Sequence, residues 1–166
     1  MYRPSIQNLC GCRANIKIEW QAFDIQQFIQ SLIEDAQSLK KSGQLIHFLY
    51  QGRAEVMLDQ KKLRYILMNL LSNALKYSGE GSDIKVNVTN DQGLFVAVED
   101  QGIGIPEEEQ KFMFNKFFRA ANTANIQGTG LGLTIVKRYV ELMNGAISFR
   151  SSPGMGTIFM IELPSK

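Results

Sequence analysis

Three stretches of the sequence combine residue types and spacings that suit the binding of a metal ion or a phosphate group. The first contains Asn69, Asn73 and Lys76, which would share one face of a helix because they lie four and three residues apart. Amide oxygens are suitable ligands for Mg²⁺, and a lysine on the next turn could meet a phosphate as a point charge. An ordinary solvated helix face has the same pattern, so this stretch alone only suggests a site.

The second stretch begins with Asp100, which closes the strand-like run VAVED and is followed by QGIGIP. A carboxylate at the end of a strand can accept a hydrogen bond from a ligand, and the two glycines let the backbone approach that ligand closely. An acidic residue in a tight turn without a ligand would have the same pattern. The stretch is therefore a candidate ligand contact.

The third stretch, GTGLGL at residues 128–133, opens a predicted helix. Glycines at a helix start leave amide N–H groups free to receive an anion such as a triphosphate, which the helix dipole also favours. The spacing differs from the G-x-G-x-x-G of Rossmann dinucleotide sites, and the chain contains no G-x-x-x-x-G-K-[ST] phosphate loop. By itself this motif does not identify a ligand.

The hydrophobic pattern around these stretches predicts the elements that position them. The clearest helix follows Asp59, a candidate N-cap, and has apolar residues at helical spacing from Leu63 to Leu75, with Gly79 as a candidate left-handed C-terminal cap. The other predicted elements are, in chain order, a strand at IKIEW (16–20), a helix from Ile25 to about Leu39 capped by Asp24, a strand at LIHFLY (45–50), a hairpin of IKVNV and LFVAVED, a helix start at Pro106, a helix stopped by Asn144-Gly145, and a hairpin of AISFR and TIFMIEL.

Consecutive hairpins argue against an all-parallel, doubly wound sheet. We therefore expect an α+β fold, a two-layer α/β sandwich in which a mixed, largely antiparallel sheet carries about three helices on one face. The first fifteen residues show no apolar period and contain Pro4 and Gly11, which indicates a connector at 1–15 and a single domain at 16–166.

The composition excludes several classes of protein. A length of 166 residues, 45% of them hydrophobic and 20% charged, fits one ordinary globular domain. A net charge of +2 does not indicate nucleic-acid or membrane-surface binding, and no apolar run reaches the roughly 18 residues of a membrane span. Cys10 and Cys12 do not suffice for a disulfide framework or a zinc site, and the N-terminus lacks a signal-peptide core. We expect a cytoplasmic domain.

In their order and spacing, the three stretches resemble the nucleotide-binding domain of sensor histidine kinases. NLLSNALKYS (69–78) resembles the N box of that family, EDQGIGIP (99–106) its first glycine box, FMFNKFFRA (112–120) its F box, and GTGLGL (128–133) its second glycine box. The resemblance extends from about Ile16 to Pro164. It implies the Bergerat fold, which is shared with gyrase-type ATPases, heat-shock chaperones and mismatch-repair ATPases.

The resemblance also implies an ATP site with a base-binding end. Asp100 would accept a hydrogen bond from the adenine amino group, and Gly102 and Gly104 would close around the base. Thr157 would help to hold a water molecule near Asp100.

At the phosphate end, the same resemblance implies that Asn73 binds Mg²⁺, with Asn69 assisting directly or through water. Lys76 and Tyr77 would lie along the phosphates and the sugar. The second glycine box would contribute the residues Gly128, Thr129, Gly130, Leu131 and Gly132.

A mobile lid over ATP is implied from about Pro106 to Gly130, anchored by Phe114, Phe117 and Phe118. Phe117 would also contact the nucleotide. Arg119 follows this anchor and is the cation expected near the γ-phosphate.

The resemblance thus implies the catalytic domain of a two-component protein-histidine kinase, which transfers the γ-phosphoryl group of Mg-ATP to a histidine. His47, the single histidine of the chain, lies in a predicted strand and is followed by Phe48 instead of the acid typical of phosphoacceptors. The acceptor would therefore lie on a dimerisation domain outside this chain, and residues 1–15 would be the end of its helix. That domain and a response regulator are the expected partners; alone, the chain would be monomeric and unable to autophosphorylate.

Two alternatives remain at this point. An ATP-driven conformational clamp of the gyrase and chaperone type would carry a general-base Glu where this sequence has Asn69, and hydrolysis without such a base should be slow. A nucleotide-sensing pseudokinase would bind ATP without transferring phosphate. The intact boxes favour the kinase over it, but the sequence alone leaves this alternative open.

Overall fold

The computed structural model describes residues 16–164, so the predicted connector at 1–15 and residues 165–166 lie outside the described part of the chain. In chain order, the elements are β1 (Gln21–Asp24), α1 (Ile25–Ala36), a 3-10 turn (Gln37–Leu39), β2 (Leu45–Gly52), β3 (Glu55–Leu58), α2 (Gln60–Tyr77), β4 (Asp83–Asn90), β5 (Gly93–Asp100), 3-10 turns at Glu107–Phe112 and Ala121–Thr123, α3 (Gly132–Leu142), β6 (Ala146–Ser152) and β7 (Gly156–Pro164).

Five strands form the main sheet, in the order β2-β4-β5-β7-β6. The edge strand β2 pairs with β4 in parallel, whereas the other three pairs are antiparallel. β1 and β3 form a separate antiparallel pair. The predicted mixed, largely antiparallel sheet is therefore confirmed, and both predicted hairpins are present as β4–β5 and β6–β7.

The three helices cover one face of this sheet, which confirms the predicted two-layer sandwich. Alternate residues of β4, such as Ile84, Val86 and Val88, are at most 2% exposed and share one core with the helices. The apolar residues of α2 from Leu63 to Leu75 form the centre of that core. Burial of this stripe leaves the opposite face of α2, with its two asparagines, free to line a site.

Two aspartates cap the long helices as predicted. Asp24 Oδ1 accepts a hydrogen bond from the Gln27 amide at 2.8 Å, and Asp59 Oδ1 accepts one from the Lys62 amide at 3.0 Å. Burial on its own raises the pKa of the Asp59 carboxyl, but hydrogen bonds from Lys62 and from the Glu19 amide outweigh this, so its pKa lies below the ordinary value. The cap of α2 is therefore also a buried ion pair, with Lys62 Nζ at 2.6 Å from Asp59 Oδ2.

The structure corrects two of the predicted features and adds one strand that was not predicted. The strand predicted at IKIEW is wrong, because the register pairs Gln21 with Leu58, and the residue after Leu58 already caps α2. The sequence analysis missed β3, which is only four residues long. Gly79 is not a left-handed cap: α2 ends at Tyr77 with an extended Ser78, which forms a bridge with Gly102.

The start of the lid and the later helix largely follow the prediction. Pro106 precedes a 3-10 helix instead of an α-helix. α3 ends before Asn144, whose φ of 60° shows the left-handed stop that Asn144-Gly145 predicted.

Candidate functional site

A cavity of about 340 Å³ lies among α2, the end of β5 and the segment that joins β5 to α3. Its volume is within the usual range for small-molecule sites. Most of the predicted site residues line it: Asn69, Asn73, Lys76, Tyr77, Asp100, Gly104, Arg119, Gly128, Thr129, Gly130, Gly132 and Thr157. Three of the predicted residues, Gly102, Phe117 and Leu131, are not among the lining residues.

Asp100 lies at the inner end of the cavity, where its carboxylate is held by the backbone. Its Oδ1 accepts hydrogen bonds from the amides of Gly102 at 2.8 Å and Thr157 at 3.2 Å. Burial raises the pKa of Asp100 to about 6, although these two bonds favour the ionised form. Within residues 16–164, Oδ2 has no hydrogen-bond partner, so this oxygen can accept one from a ligand.

Glycines make this part of the cavity possible by close backbone approach. A Cβ on Gly102 would lie 2.6 Å from the carbonyl oxygen of Tyr77, and a Cβ on Gly104 would lie 2.0 Å from that of Ser152. Gly104 also has a φ of 67°, which favours glycine. Gly102 does not line the cavity, but it lies against Tyr77 and its amide holds Asp100. We call Asp100, Gly102, Gly104 and Thr157 the floor.

The asparagines of α2 face the other end of the cavity, as predicted. Asn73 Nδ2 donates a hydrogen bond to Asn69 Oδ1 at 3.2 Å, which leaves Asn73 Oδ1 without a partner in the described chain. A Cβ on Gly132 would lie 2.3 Å from Asn69 Nδ2, so any other residue at the start of α3 would displace the Asn69 side chain. Leu131 is the residue before α3.

Two cations near the asparagines bind the backbone of the lid, defined here as residues 106–130. Lys76 Nζ donates to the carbonyl oxygen of Gln127 at 2.7 Å and lies 4.7 Å from the ring centre of Tyr77. Arg119 donates to the carbonyl oxygens of Thr123, at 2.9 Å, and Ile126. In the described structure neither cation forms a salt bridge, so both retain a charge for an anionic ligand.

The three phenylalanines expected to anchor the lid have different environments. Phe114 packs edge-on against Phe149, with ring centres 5.8 Å apart, and Phe118 contacts Phe112 and lines the cavity. Phe117 is 71% exposed and has a φ of 62°, while its amide donates to Gly130. Phe117 is not among the residues that line the cavity, so its contact with a ligand stays a prediction.

The residues that sequence reasoning missed are mostly apolar walls of the cavity, among them Ile103, Ile105, Met113, Leu133 and Phe159. The alternation of TIFMIEL does place Phe159 on the helix-facing side of β7, so that residue had a usable signal. The others lie in turns or at a helix start, where no periodicity assigns a direction.

The fold and the cavity together define an ATP-binding domain of the Bergerat type. The family model described as "Histidine kinase-, DNA gyrase B-, and HSP90-like ATPase" matches residues 58–166, and the chain belongs to this family. Its relatives are sensor histidine kinases, so the chain is a catalytic domain of the histidine-kinase type. The sensor histidine kinase WalK of Bacillus subtilis (strain 168) is 35% identical over 154 residues, which cover 89% of this chain and 25% of WalK.

Solved structures agree with this assignment. The mycobacterial sensor histidine kinase MprB has a TM-score of 0.75 and 30% identity, covering 88% of this chain and 99% of that one. Full-length ShkA in complex with AMPPNP has a TM-score of 0.80 and 25% identity, covering 92% of this chain and 32% of that one.

The chain thus spans about a quarter of the length of WalK. None of the helices within residues 16–164 combines the length and apolar character needed to cross a membrane.

Proposed function

We propose that the cavity binds Mg-ATP with its base on the floor, and that the domain transfers the γ-phosphoryl group to a histidine outside this chain. The observation that carries the proposal is the Asp100 carboxylate, which is buried at the inner end of the cavity with Oδ1 fixed and Oδ2 free. A buried acceptor of this kind suits the exocyclic amino group of adenine and discriminates against the keto oxygen of guanine.

At the phosphate end, the donor set fits a magnesium ion. Asn73 Oδ1, with Asn69 beside it, would supply an amide oxygen, and Mg²⁺ commonly combines one or two protein oxygens with waters and substrate phosphates. When bound, the ion would neutralise charge on the phosphates. Lys76 and Arg119 would add positive charge once they exchange the lid carbonyls for phosphate oxygens.

The transfer needs positioning and charge stabilisation more than a strong base. A nitrogen of the acceptor imidazole forms a bond to the γ-phosphorus, and the bond from that phosphorus to the β-γ bridging oxygen breaks. ADP leaves with the electron pair. Because the attacking nitrogen is the unprotonated one, the other ring nitrogen then loses its proton to solvent. His47 is unsuited to this role because it lies on β2, with its Nε2 3.2 Å from Asp83.

The whole protein would be a two-component sensor kinase located in, or facing, the cytoplasm. Its dimerisation domain would present the phosphoacceptor histidine, and a response regulator would receive the phosphoryl group. WalK and full-length ShkA support this proposal, because this chain matches only 25% of the first and 32% of the second.

Calorimetry of the purified chain with AMPPNP, ADP and GTP, each with and without Mg²⁺, tests the binding step. We expect binding of the adenine nucleotides only, strengthened by Mg²⁺. Equal binding of GTP would contradict the role of Asp100. Addition of a histidine-bearing dimerisation domain and radiolabelled ATP then tests transfer, with acid-labile labelling of that domain as the expected result.

The metal assignment has its own test in Asn73→Ala. We expect this variant to bind AMPPNP about 5- to 30-fold more weakly with Mg²⁺ and nearly unchanged without it, since one polar contact is lost. Lys61→Ala is a matched control on the same helix because Lys61 is exposed and does not line the cavity. If Mg²⁺ strengthens binding to Asn73→Ala as much as to the unsubstituted chain, the metal lies elsewhere.

A further inference from the structure

A turn at residues 41–44, before β2, lies against the end of α2, and none of its residues lines the cavity. The Gly81 amide donates to Ser42 O at 2.9 Å, and the Leu45 amide donates to Ser82 O at 3.2 Å. A Cβ on Gly43 would lie 3.2 Å from Gly81 Cα, so the two backbones are in close contact. The turn is therefore fixed to the segment that follows α2.

Two side chains of this turn bind the last carbonyl groups of α2 and the residues just after it. Lys41 Nζ donates to the carbonyl oxygens of Lys76 at 2.7 Å and Ser78 at 2.6 Å. Gln44 is 1% exposed, and its side-chain Nε2 donates to the carbonyl oxygens of Leu75 and Gly79, each at 3.0 Å. These carbonyls have no partner within the helix, and a cation at this end also opposes the helix dipole.

The same segment is bound from the opposite side by the first glycine box. The Ile103 amide donates to Tyr77 O at 3.3 Å, and Ser78 forms a β-bridge with Gly102. The turn at 41–44 thus binds Lys76, Ser78 and Gly79, and the first glycine box binds Tyr77 and Ser78. Since Lys76 and Tyr77 also line the cavity, the two sets of contacts together set the position of these side chains relative to Asp100.

We propose that Lys41 and Gln44 are positioning residues of the nucleotide site, which fix the Lys76 end of the cavity at the correct distance from Asp100 without touching the ligand. This inference rests on the proposed ATP site. ATP must contact Asp100 and Lys76 simultaneously, so a small shift of the last turn of α2 weakens ATP binding. Adenosine needs only the floor, so the same shift leaves adenosine binding nearly unchanged.

Lys41→Met is the informative substitution because Lys41 is exposed and the methionine keeps most of the side-chain length, so the fold is expected to persist. We expect AMPPNP with Mg²⁺ to bind about 5- to 10-fold more weakly, the effect of losing one or two charge-assisted hydrogen bonds, measured by calorimetry. The affinity for adenosine, measured by NMR titration, should change less than about 2-fold. Lys41→Arg, which can donate to both carbonyls, should restore most of the AMPPNP affinity.

A double-substitution cycle tests whether Lys41 acts through Lys76. In a Lys76→Met background, Lys41→Met should weaken AMPPNP binding less than about 2-fold. If Lys41 acts only through Lys76, the effects of the two substitutions on binding free energy do not add. Lys40→Met is the matched control, since the Lys40 side chain forms no hydrogen bond or salt bridge in the described structure. Gln44→Met should reduce both affinity and stability, because Gln44 is buried.

The outcomes separate the two proposals. Failure of the unsubstituted chain to bind AMPPNP would overturn the proposed function and this inference with it. Normal AMPPNP binding by Lys41→Met, an equal loss of adenosine binding, or additive losses with Lys76→Met would overturn the positioning role alone.

Discussion

The floor and the lid of the cavity are held by different kinds of contact. In the floor, backbone amides bind the Asp100 carboxylate, and Gly102 and Gly104 lie where any Cβ would collide with a carbonyl oxygen. In the lid, backbone carbonyl oxygens accept hydrogen bonds from two long, flexible side chains, that of Lys76 on α2 and that of Arg119 in the lid itself. The floor is thus specified by main-chain geometry and should be rigid, whereas the lid contacts can be exchanged for ligand contacts at little cost.

The largest effect that distinguishes the two regions should come from Asp100→Asn. We expect AMPPNP binding to fall about 10- to 150-fold, because the adenine amino group would face an amide in place of a carboxylate. Burial raises the pKa of Asp100 to about 6, so the ionised carboxylate costs folding free energy at neutral pH. In chemical denaturation at pH 7.5, the unfolding free energy of Asp100→Asn should therefore equal that of the unsubstituted chain or exceed it by up to about 2 kcal/mol. Retained AMPPNP affinity would contradict the assignment.

Gly132→Ala should have the next largest effect, because its Cβ would lie 2.3 Å from Asn69 Nδ2. Displacement of the Asn69 side chain should weaken Mg-AMPPNP binding by about tenfold, and the overpacking should lower the unfolding free energy by about 1 kcal/mol. Gly79→Ala is the matched control, since nothing lies within 4 Å of its added Cβ. Denaturation and calorimetry that show the same values for both variants would refute the close approach of α3 to Asn69.

The pH dependence of adenosine binding should report on the floor alone, since adenosine has no phosphate that titrates in this range. With the pKa of Asp100 at about 6, affinity should be nearly constant above pH 7 and fall about tenfold by pH 5. Folding stability should respond with the opposite sign. The folded chain holds this proton more tightly than the unfolded chain, whose ordinary pKa is 3.8, so the contribution of Asp100 to stability falls as the pH rises from about 4 to 6. A flat profile from pH 5 to 8 would show that Asp100 is not the base contact.

The smallest expected effect is that of Phe117→Asn in the lid. Phe117 is exposed and has a left-handed backbone, which asparagine tolerates better, so the unfolding free energy should rise by about 0.5–1 kcal/mol. AMPPNP affinity should change less than about 2-fold. The neighbouring Phe118→Asn, which replaces a cavity wall, should weaken binding severalfold. Equal AMPPNP affinities for the two variants would contradict the prediction that the ring of Phe118 contributes to binding and the ring of Phe117 does not.

The same contrast explains what the sequence could predict. Asp24, Asp59 and the stripe from Leu63 to Leu75 have strong local patterns, and the helices they define are confirmed. The sequence also indicated Asp100 and its glycines as a candidate ligand contact, although an acid in a tight turn has the same pattern. The side-chain direction of Phe117 could not be predicted, because it depends on a left-handed backbone at that residue. Gly130 packs closely there: a Cβ added to Gly130 would lie 2.7 Å from the carbonyl carbon of Phe117. The short β3 has too few residues to show a period.

The hydrogen bond from Thr157 to Asp100 joins residues 57 positions apart in the chain, across the antiparallel pair of β5 and β7. Pairings this distant form slowly because loop-closure entropy must be lost before they form. The helices can assemble early from local contacts, but the floor exists only after the last hairpin has docked against β5. During refolding, adenine binding should therefore return with the slowest phase, after the helical circular dichroism signal has recovered.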